Sequence, residues 1–142
     1  MASINYGRVV IGGLVGGVVA NVIDMVANMT FLKDDMTAMG QKFGMDPAAM
    51  QSMSAAVPWI VIDFVFGILV VFTYAAMRPR FGPGPKTAII AGFTLFLAVS
   101  VVLYGFTTMG MMSTGAYMRG TLEALVTTLL GATAGAAVYK EA

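Results

Sequence analysis

Cysteine and histidine are both missing from the 142 residues of the chain. Without thiols there is no disulfide frame and no thiolate to act as nucleophile or ligand, and cysteine usage gives no reading of the redox compartment. Without imidazole the usual zinc sites, histidine-ligated haem and histidine acid–base catalysis are all excluded. Charge is scarce as well, at 11% of residues, and its 8 basic and 7 acidic side chains give a formal net charge of +1. That balance provides no basic field able to hold a nucleic acid backbone, so nucleic acid is not an expected partner. No nucleophile–base pair stands out, and the chain is expected to be neither an enzyme nor the holder of a cofactor.

Hydrophobic residues make up 58% of the chain and the mean hydropathy is +0.85. Both exceed what a soluble domain carries and point to an integral membrane protein whose first partner is the lipid bilayer. Crossing a hydrocarbon core about 30 Å thick takes roughly 20 apolar residues. Four runs qualify, at 9–32, 58–77, 88–106 and 117–139. Pro58 suits the first turn of the second run and Thr87 suits the N-cap of the third. The opening "MASINYGR" puts one arginine before an apolar stretch longer than the hydrophobic part of a signal peptide, so the first run is expected to stay in the membrane.

An even number of spans puts both termini on one side, with the loop "RPRFGPGPKT". That side holds Arg8, Arg78, Arg80, Lys86 and Lys140, against Lys33, Lys42 and Arg119 on the other. Basic residues favour the cytoplasmic side, so both termini are expected there. The proline- and glycine-rich loop reads as a tight turn with its charges at the headgroups. It lacks the frame of a phosphate-binding loop, and its prolines remove backbone donors.

The connection at 33–57 is too long for a bare link. Met36, Met39 and Phe43 recur at helical spacing, Gly44 can stop that turn, and Asp46-Pro47 suits the start of a second short helix ending near Pro58. The expected fold is therefore an all-α membrane protein of one domain: an antiparallel bundle of four transmembrane helices, with short interfacial helices in the first outer loop.

Within the first run, Gly13, Gly17, Asn21, Asp24 and Asn28 form one stripe at steps of three and four. The pairs Gly12/Gly16 and Gly13/Gly17 let a neighbouring backbone come close. An aspartate facing lipid costs about 2.5 to 3.5 kcal/mol on insertion scales, so the stripe must look inward. Asp24 lies 16 residues beyond Arg8, roughly 24 Å along the axis and near the outer surface. Asp63 is five residues past Pro58, and Glu123 is one turn deeper than Arg119. Three carboxylates on three helices thus fall at similar depth, with Arg119 spaced to pair with Glu123. Tyr104, Thr107 and Thr108 offer hydroxyls nearby.

One reading makes Asn21, Asp24, Asn28, Asp63, Arg119 and Glu123 a polar plug that sets helix register. The other notes that three acids against one arginine leave a negative surplus, to be met by protons or a bound cation. Gly131 and Gly135, with Ala132 and Ala136 in "GATAGAA", give the last run a second small-residue face for the bundle or for another subunit. Ten of the 13 methionines, from Met29 to Met53 and from Met109 to Met118, fall on or near the expected outer face. They are adaptable contact surface, or soft ligands for Cu(I).

The stretches "NYGRVVIGGLVGGVVANV" (5–22) and "YAAMRPRFGPGPKTA" (74–88) resemble those of a group of uncharacterised small bacterial four-helix membrane proteins. The resemblance spans about a third of the chain at the level of motifs. It implies a bacterial inner-membrane protein and carries no activity with it. The expected function is that of a non-enzymatic accessory or self-assembling subunit, in a homo-oligomer or larger membrane complex. The alternative is a small transporter or channel for protons or cations that works through its carboxylates. Four-helix multidrug transporters are of similar length, but their tryptophan–glutamate signature is absent from the first run.

Overall fold

The computed structural model describes residues 3–141. Met1 and Ala2, the start of "MASINYGR", and Ala142 lie outside the described residues. Helix makes up 84% of the structure and no strand occurs among the described residues. The order is α1 (Tyr6–Thr30), α2 (Lys33–Lys42), α3 (Pro47–Met50), α4 (Met53–Phe81), α5 (Pro85–Thr108) and α6 (Thr114–Val138). Four of them, α1, α4, α5 and α6, are long and apolar enough to cross a membrane. The shortest has 24 residues, about 36 Å at 1.5 Å per residue.

Each long helix starts earlier than the apolar run that announces it, and in three of the four a polar residue outside the run supplies the cap. Asn5 accepts from the Arg8 amide at the start of α1, Ser52 from Ala55 at α4, and Ser113 from Ala116 at α6. These bonds satisfy amides that the first turn leaves without partners. Pro58 is therefore not in the first turn of its helix but five residues inside α4. The second short helix is correspondingly shorter than expected. Asp46 does cap it, accepting from the Ala48 amide, but α3 ends at Met50.

Thr87 is likewise not an N-cap. It lies inside α5, buried, and its hydroxyl donates to the Gly82 carbonyl at 2.7 Å, closing the end of α4. Gly82 and Gly84 hold φ of 81° and 122°. A side chain would strain both positions, which is how the short loop turns the chain. The Tyr74 hydroxyl accepts from the Gly84 amide and ties the turn to α4.

Helix α1 packs on α4 and α6, and α5 packs on α6 and α4. Consecutive residues on a helix lie about 100° apart, so the doubled glycines of α1 serve two neighbours at once. Gly12 and Gly16 meet Gly135 and Gly131 of α6, while Gly13 and Gly17 meet Ile68 and Phe64 of α4. As numbering rises along α1 it falls along both partners. The close approach is backbone on backbone: a Cβ added at Gly12 would stand 2.6 Å from the Gly135 carbonyl oxygen, and one at Gly16 2.7 Å from that of Gly131. Gly13, Gly17, Gly131 and Gly135 are thus all packed inside the bundle, the first of the two roles expected for the α6 pair.

The buried core lies toward the end that carries the termini. Val9, Val71, Tyr74, Ala75, Ala88, Ala91, Ala136 and Tyr139 form it. Small residues predominate, consistent with helices drawn together by contact rather than by large side chains. The Asn5 amide donates to the Tyr139 hydroxyl and joins the beginning of α1 to the end of α6.

Candidate functional site

Toward the opposite end of the bundle, α1, α4 and α6 each present one carboxylic acid to the others. Asp24 comes from α1, Asp63 from α4 and Glu123 from α6, and all three are half-buried. Asp63 and Glu123 both lie close enough to Asp24 to interact with its charge. Of the three acids expected at one depth, Asp24 and Glu123 share a hydroxyl partner on α6.

The group at the centre is one the sequence reading missed. Thr127, buried on α6, places Oγ1 3.0 Å from Asp24 Oδ1 and 2.6 Å from Glu123 Oε1. Its spacing of four from Glu123 puts both on one helix face, and that was the available signal.

The remaining members of the expected cluster go elsewhere. Arg119 does not pair with Glu123. Its Nε and Nη2 donate to Asp35 of α2 at 2.7 and 2.6 Å, a two-pronged bond across to the first outer loop. The planar fork of the guanidinium matches a carboxylate on both nitrogens, which a neighbour one turn along its own helix does not offer as readily. Those bonds hold the Asp35 carboxyl below the usual carboxylate range; desolvation opposes the shift, and attraction to the Arg119 charge adds to it.

Asn21 donates to the Gly17 carbonyl at 2.9 Å and to the Ile60 carbonyl of α4 at 3.3 Å. It therefore bridges two helices without touching the acids, a contribution of about 0.6 kcal/mol by the average of such bonds in membranes. Asn28 is exposed and donates to the Asp24 carbonyl of its own helix. Its neighbour Ala27 occupies the buried face instead.

The hydroxyls expected from α5 do not join either. Thr108 donates to the Gly105 carbonyl, Tyr104 packs against the Tyr117 ring at 5.5 Å, and Thr107 Oγ1 is buried without a partner.

No lysine or arginine forms an ion pair with Asp24, Asp63 or Glu123 among the described residues. Nor is any group of three His, Cys, Asp or Glu among them arranged to hold a metal ion. Several methionines at this end are open: Met29, Met53, Met109 and Met118 are 72%, 74%, 72% and 65% exposed. No protein-family model matches the chain, no curated protein is similar to it, and no solved structure resembles it.

Proposed function

We propose that the chain is a bacterial inner-membrane protein of four antiparallel spans, with both termini cytoplasmic, and that it handles protons through Asp24, Asp63 and Glu123. The reading of four spans rests on the length and apolarity of α1, α4, α5 and α6. Orientation rests on the five basic residues gathered at the end where Asn5 meets Tyr139, and the bacterial inner membrane on the family resemblance.

One observation carries the proton reading. Thr127 Oγ1 stands within hydrogen-bond distance of two carboxyl groups, yet a hydroxyl has a single hydrogen to donate. If both acids were ionised, one of the two contacts would set oxygen lone pairs against each other. Both contacts are favourable when one carboxyl carries a proton and donates it to Thr127, which in turn donates to the other. With Arg119 committed to Asp35, a proton is also the simplest counter-charge for acids that span three apolar helices. Because the three acids sit on three different helices, gaining or losing that proton changes what holds α1, α4 and α6 together.

Proton flux in liposomes tests the proposal. Purified protein in vesicles that enclose a pH-sensitive dye should dissipate an imposed pH gradient, and Asp24→Asn, Asp63→Asn and Glu123→Gln should each abolish the flux while the fold persists. Wild-type vesicles that hold the gradient refute it, and flux of sodium or potassium in place of protons would reassign the cluster to a cation.

A second reading, that of a non-enzymatic accessory subunit, draws on the exposed methionines at the same end as the acids. Adaptable thioether surface suits contact with another membrane protein. Its test is whether a specific partner leaves with the chain on mild detergent extraction.

A further inference from the structure

At the end of the bundle where the termini meet, Arg78 stands near the close of α4 with its guanidinium between two aromatic rings. Its carbon lies 5.8 Å from the centre of the Tyr74 ring and 5.2 Å from that of Tyr139, and the two rings meet edge to face. The side chain is 15% exposed. Nε and Nη1 are buried with no hydrogen-bond partner among the described residues. The Glu141 carboxylate stands 3.4 Å from Nε, an ion-pair distance that lacks hydrogen-bond geometry. Buried donors without acceptors are unfavourable by about 1 to 3 kcal/mol each, and more when charged, so a guanidinium fixed this firmly and bonded this poorly calls for an acceptor.

A cavity of about 180 Å³ lies nearby, lined by Ser3, Ile4, Ala75, Pro79, Tyr139 and Glu141 among others but not by Arg78. Its size corresponds to on the order of six water molecules. Tyr139 and Glu141 are at once walls of this cavity and neighbours of the guanidinium. The cavity wall is mostly apolar, with Ile4 and Ala75 among its residues, and its one charged side chain is that of Glu141. The surroundings are basic, with Arg8, Arg80, Lys86 and Lys140 at the same end and Glu141 the only acid there.

We infer that Arg78, held between Tyr74 and Tyr139, is a binding site for a phosphate group, and that Glu141 occupies it in competition with that ligand. The planar fork of arginine binds phosphate through two nitrogens. On the four-span reading the site opens at the cytoplasmic headgroup level, where an anionic phospholipid can place its phosphodiester on Arg78 and its carbon chains along Ile4 and Ala75. Free phosphate shares the headgroup chemistry and lacks the apolar part.

The test is thermal unfolding of the intact chain in a neutral detergent, with three additions at fixed ionic strength: dioleoylphosphatidylglycerol, dioleoylphosphatidylcholine, or sodium phosphate. The phosphatidylglycerol arm should raise the unfolding temperature saturably, and the phosphatidylcholine arm should not. A rise with sodium phosphate as well assigns the site to the free anion; no rise with either phosphate source overturns the proposal. Arg78→Gln should remove the response, and a response that survives this change overturns the proposal. Should Arg78→Gln fail to fold, Glu141→Gln decides. Removing the competing carboxylate should lower the half-saturating phosphatidylglycerol concentration about two- to fivefold, the range expected for one accessible ion pair; an unchanged value refutes the site. Recovery of the chain in the membrane fraction of cells tests the bilayer reading separately.

Discussion

Replacing Gly12 by alanine puts the packing argument at its most exposed point. The added Cβ would stand 2.6 Å from the Gly135 carbonyl oxygen and 3.2 Å from a Val71 methyl. Ordinary contact begins at 3.4 Å, so α1 and α6 must part by about 0.8 Å. The obstacle is backbone, which no rotamer change can move aside. A gap of 0.5 to 1 Å forfeits a quarter to a half of each contact it opens, and in lipid no hydrophobic drive between helices makes up the loss. Overpacking of this kind costs about 1 to 3 kcal/mol. The helix propensity of alanine offsets little, because a span is already helical before it packs.

The measurement is unfolding in mixed micelles on titration with a denaturing detergent. Gly105→Ala and Gly120→Ala serve as internal controls, since a Cβ at either position meets nothing within 4 Å. Gly12→Ala should lose about 1 to 3 kcal/mol while the controls stay within about 0.5 kcal/mol of wild type. Joining Gly12→Ala to Gly135→Ala should cost less than the sum of the two, because both open one contact. Gly12→Ala as harmless as Gly105→Ala would refute the account of how α1 is held.

Thr127→Val removes the hydroxyl shared by Asp24 and Glu123 at nearly unchanged volume; a loss of about 0.6 to 1.7 kcal/mol is expected in the same titration, and no loss would show that the hydroxyl links nothing. Asp35→Asn should loosen α2, seen as faster amide exchange at residues 33–42 at neutral pH. Because Arg119 holds the Asp35 carboxyl below its ordinary value, the wild-type contact is fully present above about pH 4 and is lost as pH falls through the lower folded value. The difference between wild type and Asp35→Asn should therefore vanish in strong acid, and a difference that persists there would contradict the pairing. A reporter fused after Ala142 should read out in the cytoplasm; a periplasmic signal would reverse the proposed orientation.

The four long helices were legible because each apolar run holds roughly the 20 residues that a bilayer-spanning helix needs, a constraint written in composition. Their ends were less so. Asn5, Ser52 and Ser113 are polar residues outside the runs, and a search for apolar stretches passes over them. The inward face of α1 was right at Asp24 and wrong at Asn28, for a geometric reason. Ala27 completes the face set by the two glycine stripes, and Asn28, about 100° further round, falls off it. Arg119 was assigned by spacing to a partner on its own helix. Its true partner, Asp35, lies 84 residues away, and nothing local in the sequence brings α2 over the start of α6. Arg78 was read only as a charge that orients the chain. Its placement between Tyr74 and Tyr139 depends on α4 and α6 ending side by side, which no single segment reveals.

The wedging of α1 between α4 and α6 also sets a schedule for making the protein. Asp24 and Thr127 are 103 residues apart. At translation rates of about 5 to 20 residues per second, the first helix waits roughly 5 to 20 s before its last partner emerges from the ribosome. During that interval its glycine grooves and its aspartate have no native neighbour on the α6 side. A ribosome stalled before residue 114 would leave α1 with only half of its seat and Asp24 without Thr127, the partner its carboxyl takes on α6.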